Sequence, residues 1–227
     1  MEHASPEQIL DWALDKFGGE FCIAASMADS VLIDMASRIH GAVDVVFLDT
    51  GYHFAETLRT RDRVAHRYPV AVQTIVPKQT VAEQDLLFGP RLHERDPDAC
   101  CALRKVEPLR RGLDQFVAWG SGIRRDETKS RRRIDVVEWD ANRAMVKVNP
   151  LAAWTQEQVD GYIAKHDVVV NPLLNEGYPS IGCAPCTRQV AAGEDPRSGR
   201  WVGRSKTECG LHQHLDRQVT SAADAAN

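Results

Sequence analysis

The sequence predicts an α/β fold in which a mostly parallel sheet is flanked by helices. Apolar segments of strand length alternate with amphipathic helical segments, and short turns of small or polar residues separate them. The order strand, turn, helix occurs twice in succession within residues 21–68. At 227 residues, the chain is long enough for one well-filled α/β core with an appendage.

Each element has its own signal. The first helix is predicted at residues 6–17, because Ser5 and Gln8 are placed to form a capping box and apolar residues follow at helical spacing. Further helices are predicted at residues 31–39, 53–68 and 155–166, the last capped by Thr155, with another beginning near Cys100. Strands are predicted at residues 21–25, 43–48, 70–76, 115–119, 134–139 and 143–148. Ligands of parallel sheets bind beyond the carboxyl ends of the strands, so the turns after the first, second and fourth strands are predicted to form a pocket wall.

Composition argues against several classes of protein. A net charge of −4 gives no reason to expect a nucleic-acid partner. The longest apolar runs are far shorter than a membrane span and the start of the chain lacks the layout of a signal peptide, so we expect a cytosolic protein with no membrane partner. Six cysteines in such a protein favour metal binding or catalysis over disulfides. We expect residues 1–193 to form one domain and residues 194–227, which cannot build a core of their own, to form a flexible tail.

Four of the cysteines are predicted to hold an inorganic cluster, namely the adjacent pair Cys100-Cys101 and the spaced pair Cys183-x-x-Cys186. A structural zinc site normally uses two Cys-x-x-Cys turns that direct both sulfurs at one ion. Adjacent cysteines project in different directions, whereas a [4Fe-4S] cluster offers a separate iron to each sulfur. One [4Fe-4S] cluster is therefore favoured over zinc. The alternative is that Cys100 and Cys101 are buried small apolar residues, which is what we expect of Cys22 in the first strand.

Cys209 stands apart from the other cysteines, near the end of the chain. Lys206 and His212 are close enough in sequence to lower the pKa of its thiol, and the thiolate is the nucleophilic form. A glycine-rich tail could carry such a nucleophile into and out of a pocket. On these features alone, a catalytic nucleophile and an ordinary exposed thiol are equally good interpretations.

Basic residues near the cysteines are candidates for an anion site. Lys105 follows Cys101 by four residues, and Arg197 and Arg200 lie between the second cysteine pair and Cys209. Arg124, in the turn after the fourth strand, lies where a phosphate would bind. For residues 131–133, a solvated basic face is at least as good an interpretation.

Together these residues resemble the assimilatory sulfonucleotide reductases, specifically the bacterial iron–sulfur type that reduces adenosine 5′-phosphosulfate. The similarity extends over residues 21–212. Its most specific motifs are Cys100-Cys101-x-x-Arg104-Lys105-Val106-Glu107-Pro108-Leu109, Gly122-Ile123-Arg124-Arg125-Asp126, Cys183-x-x-Cys186-Thr187-Arg188, Arg197-x-x-Arg200-Trp201 and Lys206-x-Glu208-Cys209-Gly210-Leu211-His212. Relatives that act on the 3′-phosphorylated substrate generally lack the two cysteine pairs, so the resemblance implies adenosine 5′-phosphosulfate as the substrate.

The resemblance implies an adenine nucleotide α-hydrolase-like (PP-loop-like) fold and a two-stage thiol reaction in sulfate assimilation and cysteine biosynthesis. The Cys209 thiolate attacks the sulfur of the substrate, AMP departs, and thioredoxin or a similar thiol donor releases sulfite from the resulting S-sulfocysteine. By the same resemblance, the phosphosulfate is bound by Lys105, Arg197, Arg200 and His212, and the nucleoside pocket is lined by Ser26, Leu48, Gly51, Gly122 and Arg124. The cluster is implied to order the site rather than to donate electrons. A homo-oligomer is compatible with the sequence.

One loop departs from the family pattern. Residues 24–29, Ala-Ala-Ser-Met-Ala-Asp, replace a version richer in serine and glycine. The same loop weakens the main alternative, an ATP-dependent adenylylating or thiolation enzyme of the PP-loop class, because such enzymes use a Ser-Gly-Gly-x-Asp-Ser loop. A second alternative, a non-catalytic iron–sulfur or zinc sensor, leaves Cys209 and the basic residues unexplained.

Overall fold

A six-stranded sheet organises residues 1–212, the part of the chain that the computed structural model describes. Its strands are β1 (Phe21–Ala25), β2 (Val43–Leu48), β3 (Val70–Ile75), β4 (Ala118–Ser121), β5 (Val137–Asp140) and β6 (Met145–Val148). They lie in the order β3-β2-β1-β4-β6-β5. All neighbouring pairs are parallel except β5 with β6. This confirms the mostly parallel α/β sheet that the sequence predicts.

Helices connect the strands and cover the sheet. They are α1 (Pro6–Phe17), α2 (Val31–His40), α3 (Ala55–Arg67), α4 (Val81–Phe88), α5 (Leu92–Arg95), α6 (Pro97–Cys101), α7 (Glu107–Leu113) and α8 (Gln156–His166), and a π-helix (Ala102–Val106) joins α6 to α7. The capping boxes predicted at Ser5 and Thr155 are both formed. Within the described part of the chain, none of the helices has the length and apolar character that a membrane span requires.

Apolar side chains pack on both faces of the sheet. Successive strand residues point to opposite faces, so Ile23 of β1 joins one core cluster and Cys22 joins the other. The first cluster includes the buried faces of α1 and α2, and the second includes Leu109 and Leu113 of α7. Cys22 is fully buried, and burial raises the pKa of its thiol, as expected of an apolar core residue.

Several segments differ from the sequence prediction. β4 begins at Ala118 instead of residue 115, because the chain is still turning out of α7: the Phe116 amide donates to the Leu113 carbonyl over 2.9 Å. The sequence predicts a helix that begins near Cys100, but α6 already begins at Pro97 and the short helix α5 precedes it. Helix α4 was not predicted, and it exposes Leu86 and Leu87, so it lacks the apolar periodicity of a helix that packs on a core.

The carboxyl ends of β2, β1 and β4 lie side by side. The register pairs Ala25 with Phe47, and Ala24 with Ser121. The turns that begin at Ser26 and Gly122, together with Leu48 at the end of β2, therefore lie at one edge of the sheet, where the sequence placed the pocket wall.

Candidate active site

Four cysteine side chains line one cavity. Cys100 and Cys101 end α6, and Cys183 and Cys186 belong to the loop beyond α8. Residues 1–212 contain no group of three or more His, Cys, Asp or Glu side chains arranged around a position for a single metal ion. Four thiols around one cavity are the donor set that a [4Fe-4S] cluster requires.

Two local structures bring these cysteines together. In the spaced pair, a tight turn joins the cysteines, with the Cys186 amide donating to the Cys183 carbonyl over 2.9 Å, and the Ala184 amide anchors the turn by donating to the Tyr52 carbonyl over 2.7 Å. The adjacent pair is followed at once by the π-helix, whose wider turn changes the direction of the side chains that follow. As a result, Lys105 lines the same cavity as the cysteines.

The thiols around the cavity are costly to ionise without a bound cation. Burial, followed by repulsion from the other three cysteines, raises the pKa of Cys100 to about 12. Burial also raises the pKa of Cys101, to about 11, although Lys105 and Lys206 offset part of the effect. For Cys186, burial and then the charge of Cys183 raise the pKa. A metal centre binds thiolates and would supply the missing positive charge, so these residues fit the group.

The turn after β2 connects the cysteine cavity to the predicted nucleoside wall. The Thr50 hydroxyl lies 3.3 Å from the Cys183 sulfur, and Nε of the buried Arg104 donates to the Thr50 carbonyl over 2.5 Å. Gly51 has a φ of 71°, and a Cβ at this position would lie 3.0 Å from Arg104 Nη2. Both its conformation and the close approach favour glycine. The cavity and the predicted pocket wall therefore share this turn.

Cys209 lies among cations. Its thiol is half-buried, and burial disfavours the thiolate. Lys105, the Leu211 amide and Arg200 outweigh burial, so the pKa of Cys209 is lowered from its usual value. The structure thus gives Cys209 the electrostatic surroundings of a nucleophile.

The two residues that the sequence placed beside Cys209 have other contacts. Lys206 pairs with Asp98 of α6, lies 5.5 Å from the centre of the Trp201 ring, and its charge lowers the pKa of Cys101. The His212 ring stacks on Trp119 with the ring centres 5.8 Å apart. The side-chain cations that lower the pKa of Cys209 most are Lys105 and then Arg200, which lie farther from it in sequence.

Lys105 and Arg200 are the side chains that lower the pKa of Cys209 most. Burial opposes the charge of Lys105, but the thiolates of Cys183 and Cys209 outweigh it and raise its pKa. Burial, and then Arg197, lower the pKa of Arg200, whose Nε is buried without a hydrogen-bond partner. Among residues 1–212, neither cation forms an ion pair with a carboxylate. Two half-buried cations beside a thiol suit a bound anion.

A glycine makes room for Arg200. A Cβ on Gly182 would overlap the Arg200 guanidinium, so the side chain can lie against the backbone directly before Cys183. The Trp201 amide donates to the Cys186 carbonyl over 3.1 Å, and the Arg188 amide donates to the Gly199 carbonyl over 2.9 Å. These bonds hold the Arg-x-x-Arg-Trp motif against the Cys-x-x-Cys turn.

Of the basic residues 131–133, Arg132 and Arg133 are exposed, as a solvated face predicts, but Arg131 is not. Arg131 is only 8% exposed, and it binds Glu208 through Nε and Nη2 over 2.8 and 2.7 Å. Sequence reasoning missed both residues, although the position of Glu208 directly before Cys209 was an available signal. Arg124, predicted in the pocket wall, has two side-chain partners: its Nε donates to Asp126 over 3.1 Å and its Nη2 to Gln156 over 2.5 Å.

The family model described as "Phosphoadenosine phosphosulfate reductase domain" matches residues 21–189. The chain belongs to this family. Two relatives in the family are named adenosine 5′-phosphosulfate reductase: that of Streptomyces coelicolor is 57% identical over 93% of this chain and 90% of its own, and that of Mycolicibacterium smegmatis is 54% identical over 92% and 89%. The resemblance to sulfonucleotide reductases is therefore confirmed.

Solved structures confirm the fold expected for the family. A phosphoadenylyl-sulfate reductase from Candida auris, solved with phosphate, matches with a TM-score of 0.72 at 30% identity over 83% of this chain and 91% of its own. An FMN adenylyltransferase from Candida glabrata matches with a TM-score of 0.59 at 15% identity over 90% and 72%. The second likeness shows the shared nucleotide-binding fold alone.

Proposed function

We propose that this protein reduces adenosine 5′-phosphosulfate to sulfite and AMP in sulfate assimilation. The observation that carries the proposal is the placement of Cys209 beside Lys105 and Arg200, two half-buried cations that do not pair with a carboxylate within residues 1–212. The relatives named for this activity are 49–57% identical to this chain, which supports the 5′-phosphosulfate over the 3′-phosphorylated substrate. The adenylyl transferase alternative gains nothing from a likeness of 15% identity.

In the proposed first stage, the Cys209 thiolate attacks the sulfur of the bound phosphosulfate. The bond from that sulfur to the bridging oxygen breaks, its electron pair remains on the phosphate, and AMP leaves an S-sulfocysteine behind. Lys105, Arg197 and Arg200 neutralise the anionic groups and orient the sulfur toward the thiolate. We propose that His212 also contacts the phosphosulfate. The nucleoside is proposed to bind at the carboxyl ends of the strands, against Ser26, Leu48, Gly51 and Gly122.

In the proposed second stage, a thiolate of thioredoxin or a similar donor attacks the Cys209 sulfur. Sulfite leaves with the electron pair of the bond between the two sulfurs, and a mixed disulfide forms. A second thiol of the donor resolves this disulfide and returns Cys209 to its thiol. The donor is thereby oxidised to a disulfide, and it supplies the two electrons of the reduction.

We propose that Cys100, Cys101, Cys183 and Cys186 hold one [4Fe-4S] cluster. When bound, the cluster would order the cavity and supply a fixed local charge. Lys105 lines the cavity, and its charge lowers the pKa of Cys209. The charge of a bound cluster would therefore act on the same lysine that stabilises the Cys209 thiolate. The cytosolic location, the division at residues 193 and 194 and a homo-oligomer stay predictions, and residues 213–227 of the tail lie outside the described residues.

The test of this function is the variant Cys209→Ser. It is expected to abolish sulfite formation while retaining nucleotide binding, because serine lacks a thiolate of comparable nucleophilicity. Incubating the parent protein with substrate but no thiol donor should add the mass of a sulfo group to the peptide that contains Cys209. Cys22→Ser is the matched control. Cys22 is buried in the core, so this variant should keep both sulfite formation and the label on Cys209. Turnover by Cys209→Ser, or a label on another cysteine, would refute the mechanism.

A further inference from the structure

The residue directly before Cys209 is bound by two arginines, Arg131 of the segment after β4 and Arg197 of the Arg-x-x-Arg-Trp motif. The Glu208 carboxylate accepts from Arg131 Nε over 2.8 Å on one oxygen and from Arg131 Nη2 over 2.7 Å on the other. Arg197 Nη2 lies 3.4 Å from the second oxygen and donates to the Thr207 carbonyl over 2.9 Å. The Glu208 side chain is 19% exposed and that of Arg131 is 9% exposed, so the pair is largely shielded from water.

Arg131 is also held by partners other than Glu208. Arg131 Nη1 donates to Glu127 over 2.6 Å, and the Arg131 amide donates to the Thr128 hydroxyl over 3.3 Å. Glu127 in turn accepts from the Arg124 amide over 2.7 Å at the end of β4. The segment of residues 124–131 is therefore held by its own bonds, and the Thr128 hydroxyl adds a contact to Glu208 over 3.3 Å.

The two arginines hold Glu208 unequally. Arg131 makes a two-point contact with both carboxylate oxygens, whereas Arg197 makes one longer contact. An anion that binds Arg197 can replace this longer contact and leave the bond to Arg131 intact. The Glu208 carboxylate also raises the pKa of Cys209, so its charge disfavours the thiolate. Glu208 therefore does not activate Cys209 electrostatically, and its contacts point to a role in holding the segment in place.

We propose that Glu208 is a positioning residue that fastens the Cys209 segment to Arg131 and so holds Cys209 beside Lys105 and Arg200. This rests on the proposed function, in which Cys209 is the nucleophile. The latch, meaning the pair Glu208–Arg131, closes on a receiving site that exists without substrate. Release of the latch moves Cys209 away from its cations and exposes it to solvent.

The test measures the rate at which iodoacetamide alkylates Cys209 in the full-length protein without substrate, at a pH high enough for full ionisation of the thiol. Glu208→Gln and Arg131→Met should each raise the rate roughly 10-fold or more, the effect expected from losing a two-point charge-assisted pair. Combining them should give little further increase, because both remove the same contact. Glu208→Asp keeps a carboxylate and should restore part of the protection.

Matched controls are Glu194→Gln and Arg132→Met, whose side chains lie on the same segments and are exposed. They should leave the alkylation rate unchanged. Unchanged rates in Glu208→Gln and Arg131→Met, or effects that simply multiply in the double variant, would overturn the latch. Alkylation does not require turnover, so this result is independent of whether Cys209→Ser loses sulfite formation. A thermal melt of each variant separates loss of the latch from loss of the fold.

Discussion

Met27 adopts a backbone conformation that normally favours glycine. Its φ is 62°, in the left-handed region, within the loop that follows β1. Its side chain is fully buried, and its carbonyl accepts from Asn171 Nδ2 over 3.2 Å. Burial of the methionine offsets the backbone strain, which explains how this loop dispenses with the glycines of the family pattern.

This strain can be measured by comparing alanine and glycine at position 27. Met27→Ala should cost roughly 2–5 kcal/mol of stability because it empties a buried site. Met27→Gly empties the same site but relieves about 1 kcal/mol of left-handed strain, so it should be the more stable of the two variants. Denaturant midpoints give the order. The control is Met35 in α2, buried in helical conformation, where glycine should be worse than alanine; the same order at both positions would contradict the account.

The lowered pKa of Cys209 gives a second prediction at this scale. A lower pKa means more thiolate at a given pH, so Cys209 should be alkylated at a lower pH than an ordinary cysteine. After burial, Lys105 has the largest effect on this pKa, and Lys105→Met should therefore move the midpoint of the rate against pH upward and slow alkylation at pH 7. Lys165→Met, on the exposed face of α8, is the control. An unshifted midpoint in Lys105→Met would show that another group controls the thiol.

At the scale of elements, the sequence predicted what local chemistry determines. Helices α1 and α8 begin where capping boxes form, and β1, β2 and β3 follow apolar runs closely. Helix α4 was missed because its exposed leucines break the apolar periodicity on which the prediction depends. The start of β4 was misplaced because Phe116 is apolar like a strand residue but still belongs to the turn out of α7, where its amide donates to the Leu113 carbonyl.

In the candidate site, too, features set by local sequence could be predicted and features set by distant contacts could not. The pairing of Cys100-Cys101 with Cys183 and Cys186 could be predicted because residue type and spacing carry it, and the structure places all four on one cavity. The side-chain contacts of Lys206 and Arg131 could not be predicted, because each residue pairs with a carboxylate that is distant in sequence. Lys206 pairs with Asp98, and Arg131 pairs with Glu208. Sequence proximity to Cys209 was a poor guide to which cation acts on it.

At the scale of the whole molecule, the cysteine cavity joins parts of the chain that are far apart in sequence. It is lined by residues of the turn after β2, of α6 and the π-helix, of the Cys-x-x-Cys turn, and by Arg200 and Trp201. Lys206 extends this connection toward Cys209 through its ion pair with Asp98. The position of Cys209 therefore depends on the cavity from one side and on the Glu208–Arg131 latch from the other.

The cavity leads to a prediction about cofactor content. Anaerobically purified protein should contain about four irons per chain and be brown, because each of the four thiolates would bind one iron of the proposed [4Fe-4S] cluster. Serine at any of Cys100, Cys101, Cys183 or Cys186 should lower the iron and acid-labile sulfide content, since each removes one ligand. Cys22→Ser should keep both, because Cys22 packs in the core between the sheet and α7. Metal analysis that finds one zinc per chain in a colourless protein, or equal iron loss in Cys22→Ser, would contradict the assignment of these four cysteines.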